Sequence, residues 1–195
     1  GAQKVIGIDI SEMNLGLAKM RVRELKMKGI KFEKGSVLRL PFRNSSFDIV
    51  FSAGVLHHTR DWKLGISEML RVLRLNGIGL LMYLNENPGG LFWDVLEIIR
   101  LIMKCENHPV VRTSFGLLGV PSERIIQILD HALVPINVRL TPQQIKSCLI
   151  ESGADCIRRF TRGANTDRIE KIYKKLPYAE LKYGIGENRF IFTKH

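Results

Sequence analysis

The chain has 195 residues, 45% of them hydrophobic and 25% charged, with only 7 prolines and a mean hydropathy of +0.01, a balance that excludes disordered and fibrous classes. Thirty Lys plus Arg against nineteen Asp plus Glu give a net charge of +11; it is spread over both halves of the chain, which excludes a basic tail and reads as a solvated basic surface or one drawn to phosphates. No apolar run reaches the roughly 18 residues of a membrane-spanning helix.

Val5 to Ile10 is a short apolar run ending beside the carboxylate of Asp9, and Ser11 follows as an N-cap for a helix over Glu12 to Lys28, closed by Gly29. Further strands are expected at Ile30 to Glu33, Phe47 to Ser52 and Ile78 to Leu84, the last entered through an Asn76-Gly77 turn, with a helix at Trp62 to Leu75. Continuously apolar strands alternating with helices predict a parallel sheet covered on both faces, hence the α/β class.

After Pro88 the alternation stops. Helical stretches at Leu91 to Lys104 and Ser122 to Leu133 follow one another, which suggests a helical cap inserted over the sheet edge. Alternation returns at Thr141-Pro142-Gln143-Gln144, an N-cap, a first-turn proline and a capping-box Gln. That helix ends at Gly153, and strands at Ala154 to Thr161 and Arg189 to Lys194 flank a basic helical piece at Asp167 to Lys175. Three segments result: a first part of the core at 1–86, the cap at 87–140 and the rest of the core at 141–195. Cys105, Cys148 and Cys156 are odd in number and lack metal-type spacing, so reduced thiols, a cytoplasmic setting and no metal are expected.

Four blocks carry a family signal. Gly35 to Phe42, Asn44 to Val50, Gly54-Val55-Leu56-His57-His58 and Leu73-Arg74-Leu75-Asn76-Gly77 stand in the order and at the spacing of class I S-adenosylmethionine-dependent methyltransferases of the small-molecule, type 11-like kind, which this chain closely resembles over about Val5 to Leu84. The resemblance implies a Rossmann-like doubly wound sheet and S-adenosyl-L-methionine as cofactor. It assigns Asp9, with Ile10 beside it, to the ribose hydroxyls, Ser36 and Val37 to the adenine, and Ala53 and Gly54 to the methionine portion. Ser36 stands where the family usually has an acid, and a hydroxyl accepts a hydrogen bond more weakly than a charged group. Asp9 also reads as a charge at a helix N-terminus.

The family's first strand and glycine-rich loop should stand upstream of Val5, and that strand belongs between the strands at Val5 and Phe47. The sequence therefore reads as N-terminally incomplete, and residues 1–195 alone are expected to bind cofactor poorly or not at all.

Methyl transfer from a sulfonium is an in-line displacement that needs mainly positioning. A base helps only when the acceptor loses a proton. His57, then His58, are the candidates, with packing as the competing role. Tyr83 and Glu86, at the end of the following strand, and Phe92 and Trp93 are candidate acceptor-pocket residues. The helix from Leu91 to Met103 is apolar on most sides and is expected to be buried; packing against the sheet, walling a partly apolar acceptor and lying on a membrane surface are its three readings. Arg158 to Lys175 reads as a solvated basic face. The expected partner is a small-molecule acceptor of a methyl group at O, N or C. RNA methylation or binding, and a catalytically silent remnant, remain as alternatives.

Overall fold

The computed structural model describes residues 2–103, 107–122, 125, 128, 129, 131 and 133–195. Its strands are β1 (Val5–Asp9), β2 (Ile30–Lys34), β3 (Phe47–Ala53), β4 (Leu73–Leu84), β5 (Ala154–Arg159) and β6 (Asn188–Lys194). Its helices are α1 (Glu12–Glu24), α2 (Trp62–Val72), α3 (Gly90–Ile102), α4 (His108–Leu117), α5 (Pro142–Glu151), α6 (Arg168–Tyr173) and α7 (Ala179–Tyr183), with a 3-10 turn at Leu56–His58. The helix expected at Ser122 to Leu133 falls largely outside the described residues, as do Lys104 and Cys105.

The strands form two sheets. β1 and β2 pair in parallel from Val5↔Ile30 to Asp9↔Lys34, and β3-β4-β6-β5 form a second sheet. β3 and β4 run parallel, but β6 is antiparallel to both β4 and β5, so the expected all-parallel sheet gives way to a mixed one. Neither β1 nor β3 has a second pairing partner among the described residues, which leaves one edge of each strand open.

Several elements follow their local chemistry. Ser11 caps α1, its hydroxyl accepting from the Asn14 backbone N–H at 3.3 Å. Both bonds of the capping box at α5 form: Thr141 Oγ1 accepts from the Gln144 backbone N–H at 3.1 Å, and Gln144 Oε1 from the Thr141 backbone N–H at 2.9 Å. α1 stops at Glu24, short of Lys28, because Lys26 turns left-handed at φ 51°. The expected Asn76-Gly77 turn lies inside β4 as an irregularity: the pairing register jumps from Phe47↔Leu73 to Ile49↔Ile78. Asn76 has φ 60°, and a β-carbon on Gly77 would stand 3.0 Å from the Asp48 carbonyl oxygen, so the backbones approach too closely for a side chain. α4 and α7 were not apparent in the sequence pattern.

The core lies between the second sheet, α2 and α5, where Leu56, Ile66, Leu81, Ile145, Leu149 and Phe192 are buried. The structure corrects the expectation for α3. Only Trp93 and Leu96 are buried on it, while Leu91, Val95, Ile98, Leu101 and Ile102 face solvent. Periodicity gave the helix, but an apolar helix is enclosed only where other layers cover it, and one layer covers this one.

Candidate functional site

The carboxyl ends of β1, β2, β3 and β4 bear most of the residues singled out above. In an open sheet containing parallel strands, that rim is where loops gather and ligands bind. The Gly35 N–H donates to the Asp9 carbonyl at 3.1 Å, which brings the loops after β1 and β2 together and sets Ser36 beside the β1 exit. The Asp9 carboxylate accepts from the Ser11 backbone N–H at 2.7 Å and from Asn14 Nδ2 at 3.2 Å. This is the helix-start geometry of its competing reading, yet a carboxylate has about four lone-pair sites, so two remain for a ligand diol.

Ser36 is turned into its own loop: its Oγ accepts from the Leu38 backbone N–H at 3.2 Å. Val37 packs against the main core. Ile10 is exposed, and Ala53 is half-buried at the end of β3. Gly54 has φ 67°, its N–H donates to the Met82 carbonyl at 3.0 Å, and a β-carbon built there meets nothing within 4 Å. The backbone here is open and accessible, and it is the positive φ that favours glycine at this position.

The two histidines differ. His57 is buried, its Nδ1 has no hydrogen-bond partner, and its carbonyl accepts from the Val138 N–H at 2.9 Å. Burial, with His58 and then His131 adding to it, lowers its pKa from 6.5 to about 3. His58 is half-buried, with Nδ1 2.8 Å from the Ile136 carbonyl oxygen, and the two rings lie 3.9 Å apart. Segment 136–140 covers the pair because it is stitched to the β4 exit: the Leu140 N–H donates to the Asn85 carbonyl and the Asn87 N–H to the Leu140 carbonyl.

The acceptor-pocket candidates do not share one environment. Tyr83 is exposed with φ 58°, and the Arg189 guanidinium lies 4.4 Å from its ring centre. Glu86 is fully buried and takes a two-pronged grip from Arg168, Nε at 2.9 Å and Nη2 at 3.1 Å. Trp93 is buried and stacks on His131 at 5.3 Å, and half-buried Phe92 meets it edge-on at 5.4 Å. The Arg168 guanidinium stands 4.6 Å from the Phe92 ring centre, joining the rings to the Glu86 pair.

This ionic cluster escaped the sequence reading, which assigned Arg159 and Arg168 to a solvated face. Arg168 is mostly enclosed against Glu86, and Arg189 is buried against Asp167 at 2.7 Å. Glu187 caps α6, accepting from the Arg168 and Ile169 N–H groups at 2.9 Å. Arg159 is half-buried and donates to the Ile185 carbonyl at 2.8 Å. A basic run looks alike in sequence whether its partners lie nearby or, as Glu86 does, 82 positions away.

A cleft lined by Trp62, Lys63, Thr141 and Cys148 opens between α2 and α5. Cys148 is buried and Cys156 exposed, both as free thiols, and no group of three or more His, Cys, Asp or Glu suited to a metal occurs among the described residues.

The methyltransferase domain family matches residues 1–81. The demethylmenaquinone methyltransferase of Lactococcus lactis subsp. lactis (strain IL1403) is 40% identical over 74 residues, covering 38% of this chain and 29% of that protein. The uncharacterized methyltransferase YcgJ of Bacillus subtilis (strain 168) is 32% identical over 88 residues, covering 44% and 35% respectively. Residues 1–81, somewhat under half of the chain, are thus similar to methyltransferase domains.

The fold agrees over nearly all of the chain. The crystal structure of the YcgJ protein from Bacillus subtilis matches with a TM-score of 0.57 at 14% identity, over 99% of this chain and 83% of that one. PKMT2 from Rickettsia typhi in complex with AdoHcy matches with a TM-score of 0.61 at 17% identity, over 98% and 44%. The chain thus has the Rossmann-like fold of class I methyltransferases, and its match to the two curated relatives spans only 29% and 35% of their length.

Proposed function

We propose that the protein containing this chain is an S-adenosylmethionine-dependent methyltransferase acting on a small, partly apolar metabolite. The observation that carries the reading is the meeting of Asp9 and Gly35 at one rim, inside the segment that matches methyltransferase domains. When bound, S-adenosylmethionine supplies a methyl group made electrophilic by its positive sulfur. Asp9 holds the ribose hydroxyls, Ser36 and Val37 border the adenine, and the bare backbone at Ala53 and Gly54 admits the methionine portion.

The chain's contribution to the reaction is orientation and exclusion of water. With a pKa of about 3, His57 is a poor proton acceptor near neutrality. We therefore assign it to packing behind the rim and keep His58 as the candidate base for acceptors that lose a proton. The relative named demethylmenaquinone methyltransferase supports a ring-bearing acceptor, and the aromatic pair Phe92 and Trp93 beside the β4 exit is consistent with one. The open edges of β1 and β3 support a further part of this reading, that a central strand belongs between them, from the same polypeptide or from a partner.

Calorimetric titration of S-adenosylhomocysteine into the longest natural polypeptide that includes residues 1–195, and into its Asp9→Ala variant, tests the site. The variant should bind more weakly by about 1 to 3 kcal/mol, the scale for unpaired buried polar groups. Equal affinity would remove Asp9 from its role.

A further inference from the structure

α3 presents to solvent an apolar stripe that the fold does not use. Leu91, Val95, Ile98 and Ile102 recur at spacings of four, three and four, so they lie along one line of the helix, and all four are exposed, Ile102 at 73%. The line spans about 16 Å at 1.5 Å per residue. Trp93 and Leu96, on another side of the helix, already anchor it to the body.

α7 packs against α3. The two meet where a β-carbon on Gly90 would stand 2.6 Å from the Leu181 carbonyl oxygen, and the Phe92 and Tyr183 rings lie 6.3 Å apart. Leading into and through α7, the chain exposes Tyr173, Leu176, Tyr178 and Leu181, interleaved with exposed Lys174, Lys175 and Lys182. Residues 171–182 hold four lysines and one acid, Glu180.

Apolar side chains, tyrosines and lysines exposed on adjoining elements suit the boundary between lipid tails and headgroups. There the rings sit at headgroup depth, and lysine stems lie along the apolar layer while their charges reach phosphate. The wider molecule adds attraction, with +11 overall. Of the acids of α3, Asp94 is exposed beside the stripe with Arg139 3.9 Å away to offset its charge, and Glu97 lies on the flank between the stripe and Trp93.

We propose that the α3 stripe, together with the lysine-bearing segment 173–182, docks this protein on an anionic phospholipid surface. The docking is independent of the proposed reaction. It requires no spanning segment, and no helix among the described residues is long and apolar enough to cross a membrane.

The test is cosedimentation of the longest natural polypeptide that includes residues 1–195 with vesicles of equal parts phosphatidylglycerol and phosphatidylcholine, and with phosphatidylcholine alone. The chain should partition onto the anionic vesicles. That binding should weaken as ionic strength rises from about 0.01 M to about 0.15 M, where the screening length shrinks from about 30 Å to about 8 Å. Ile98→Glu/Ile102→Glu should lower partitioning on the order of tenfold or more, since it sets two charges into the apolar contact, and Lys175→Glu/Lys182→Glu should lower binding to the anionic vesicles and narrow their difference from the neutral ones. Circular dichroism checks that each variant is folded, and Leu91→Asn/Val95→Asn on the same stripe serves if the first pair is not. Unchanged binding by the stripe variants, equal binding to neutral and anionic vesicles, or a self-association abolished by Ile98→Glu/Ile102→Glu without vesicle binding by the parent would each overturn the proposal.

Discussion

The two sheets are written in similar residues and end in different states. Around β3-β4-β6-β5, the apolar positions of α2 and α5 meet strands on a shared face, and Ile66, Leu70, Leu81 and Leu149 are sealed from water. Around β1-β2, α1 and its C-cap carry Met13, Leu17, Met20 and Leu25 at helical spacing, yet all four are exposed and only Leu15 of that helix is buried. Apolar spacing thus specifies which face is available for burial, and the number of layers that meet there decides whether burial happens.

Substitutions can break that comparison. The largest loss is expected at the junction of the second sheet with α6: Arg168→Ala leaves the fully buried Glu86 without its partner and should cost about 3 to 5 kcal/mol in urea unfolding. The double variant Arg168→Leu/Glu86→Leu should recover most of it, because the cost lies in the stranded charge; no recovery would show that the pair is not the cause.

Leu81→Ala in β4, at a position closed on every side, should lose about 2 to 5 kcal/mol through lost transfer energy and a cavity. An effect below that range would mean the sheet core is loosely packed.

Acid should act next. In the folded chain His57 takes up a proton near pH 3, whereas at its ordinary value of 6.5 it does so in the unfolded chain. The unfolded state therefore binds more protons below pH 6.5, and stability falls as pH drops from about 6.5 toward 3, by at most roughly 1.4 kcal/mol per pH unit. Glu170, held down from 4.5 to about 2 chiefly by its hydrogen bond with Arg162, adds a loss in the same direction between those two values. The urea midpoint of the parent should fall more steeply between pH 6.5 and 4.5 than that of His57→Phe, and a parent whose stability is flat over that range would contradict the buried neutral imidazole.

The smallest effect is expected on the other side of the comparison. Leu17→Ala, at a residue 54% exposed on α1, should change stability by less than about 0.5 kcal/mol. A loss as large as that of Leu81→Ala would show that α1 is covered in solution, as a strand between β1 and β3 would allow.

The placement of several candidate site residues was legible before the fold. Asp9 at the end of an apolar run, the loop at Gly35 to Val37, and Gly54 before the histidines are local patterns, and all three now lie at strand ends or in the loops that follow them. What could not be read is which groups would be enclosed. Glu86 was expected in an acceptor pocket and is gripped by Arg168; Arg189, with no apolar pattern to mark it, is buried against Asp167. Hydrogen-bond partners far apart in sequence leave no period or spacing to detect.

By itself the sequence determined the α/β class, the positions of most strands and helices, and the Thr141-Gln144 capping box, because these rest on backbone preferences and contacts within a few residues. Only the tertiary structure decided that β6 enters antiparallel between β4 and β5, that the lines of α1 and α3 stay in water, and that His57 is driven neutral while His58 keeps a carbonyl partner. Those outcomes depend on desolvation, and desolvation is set by what arrives from elsewhere in the chain to displace water.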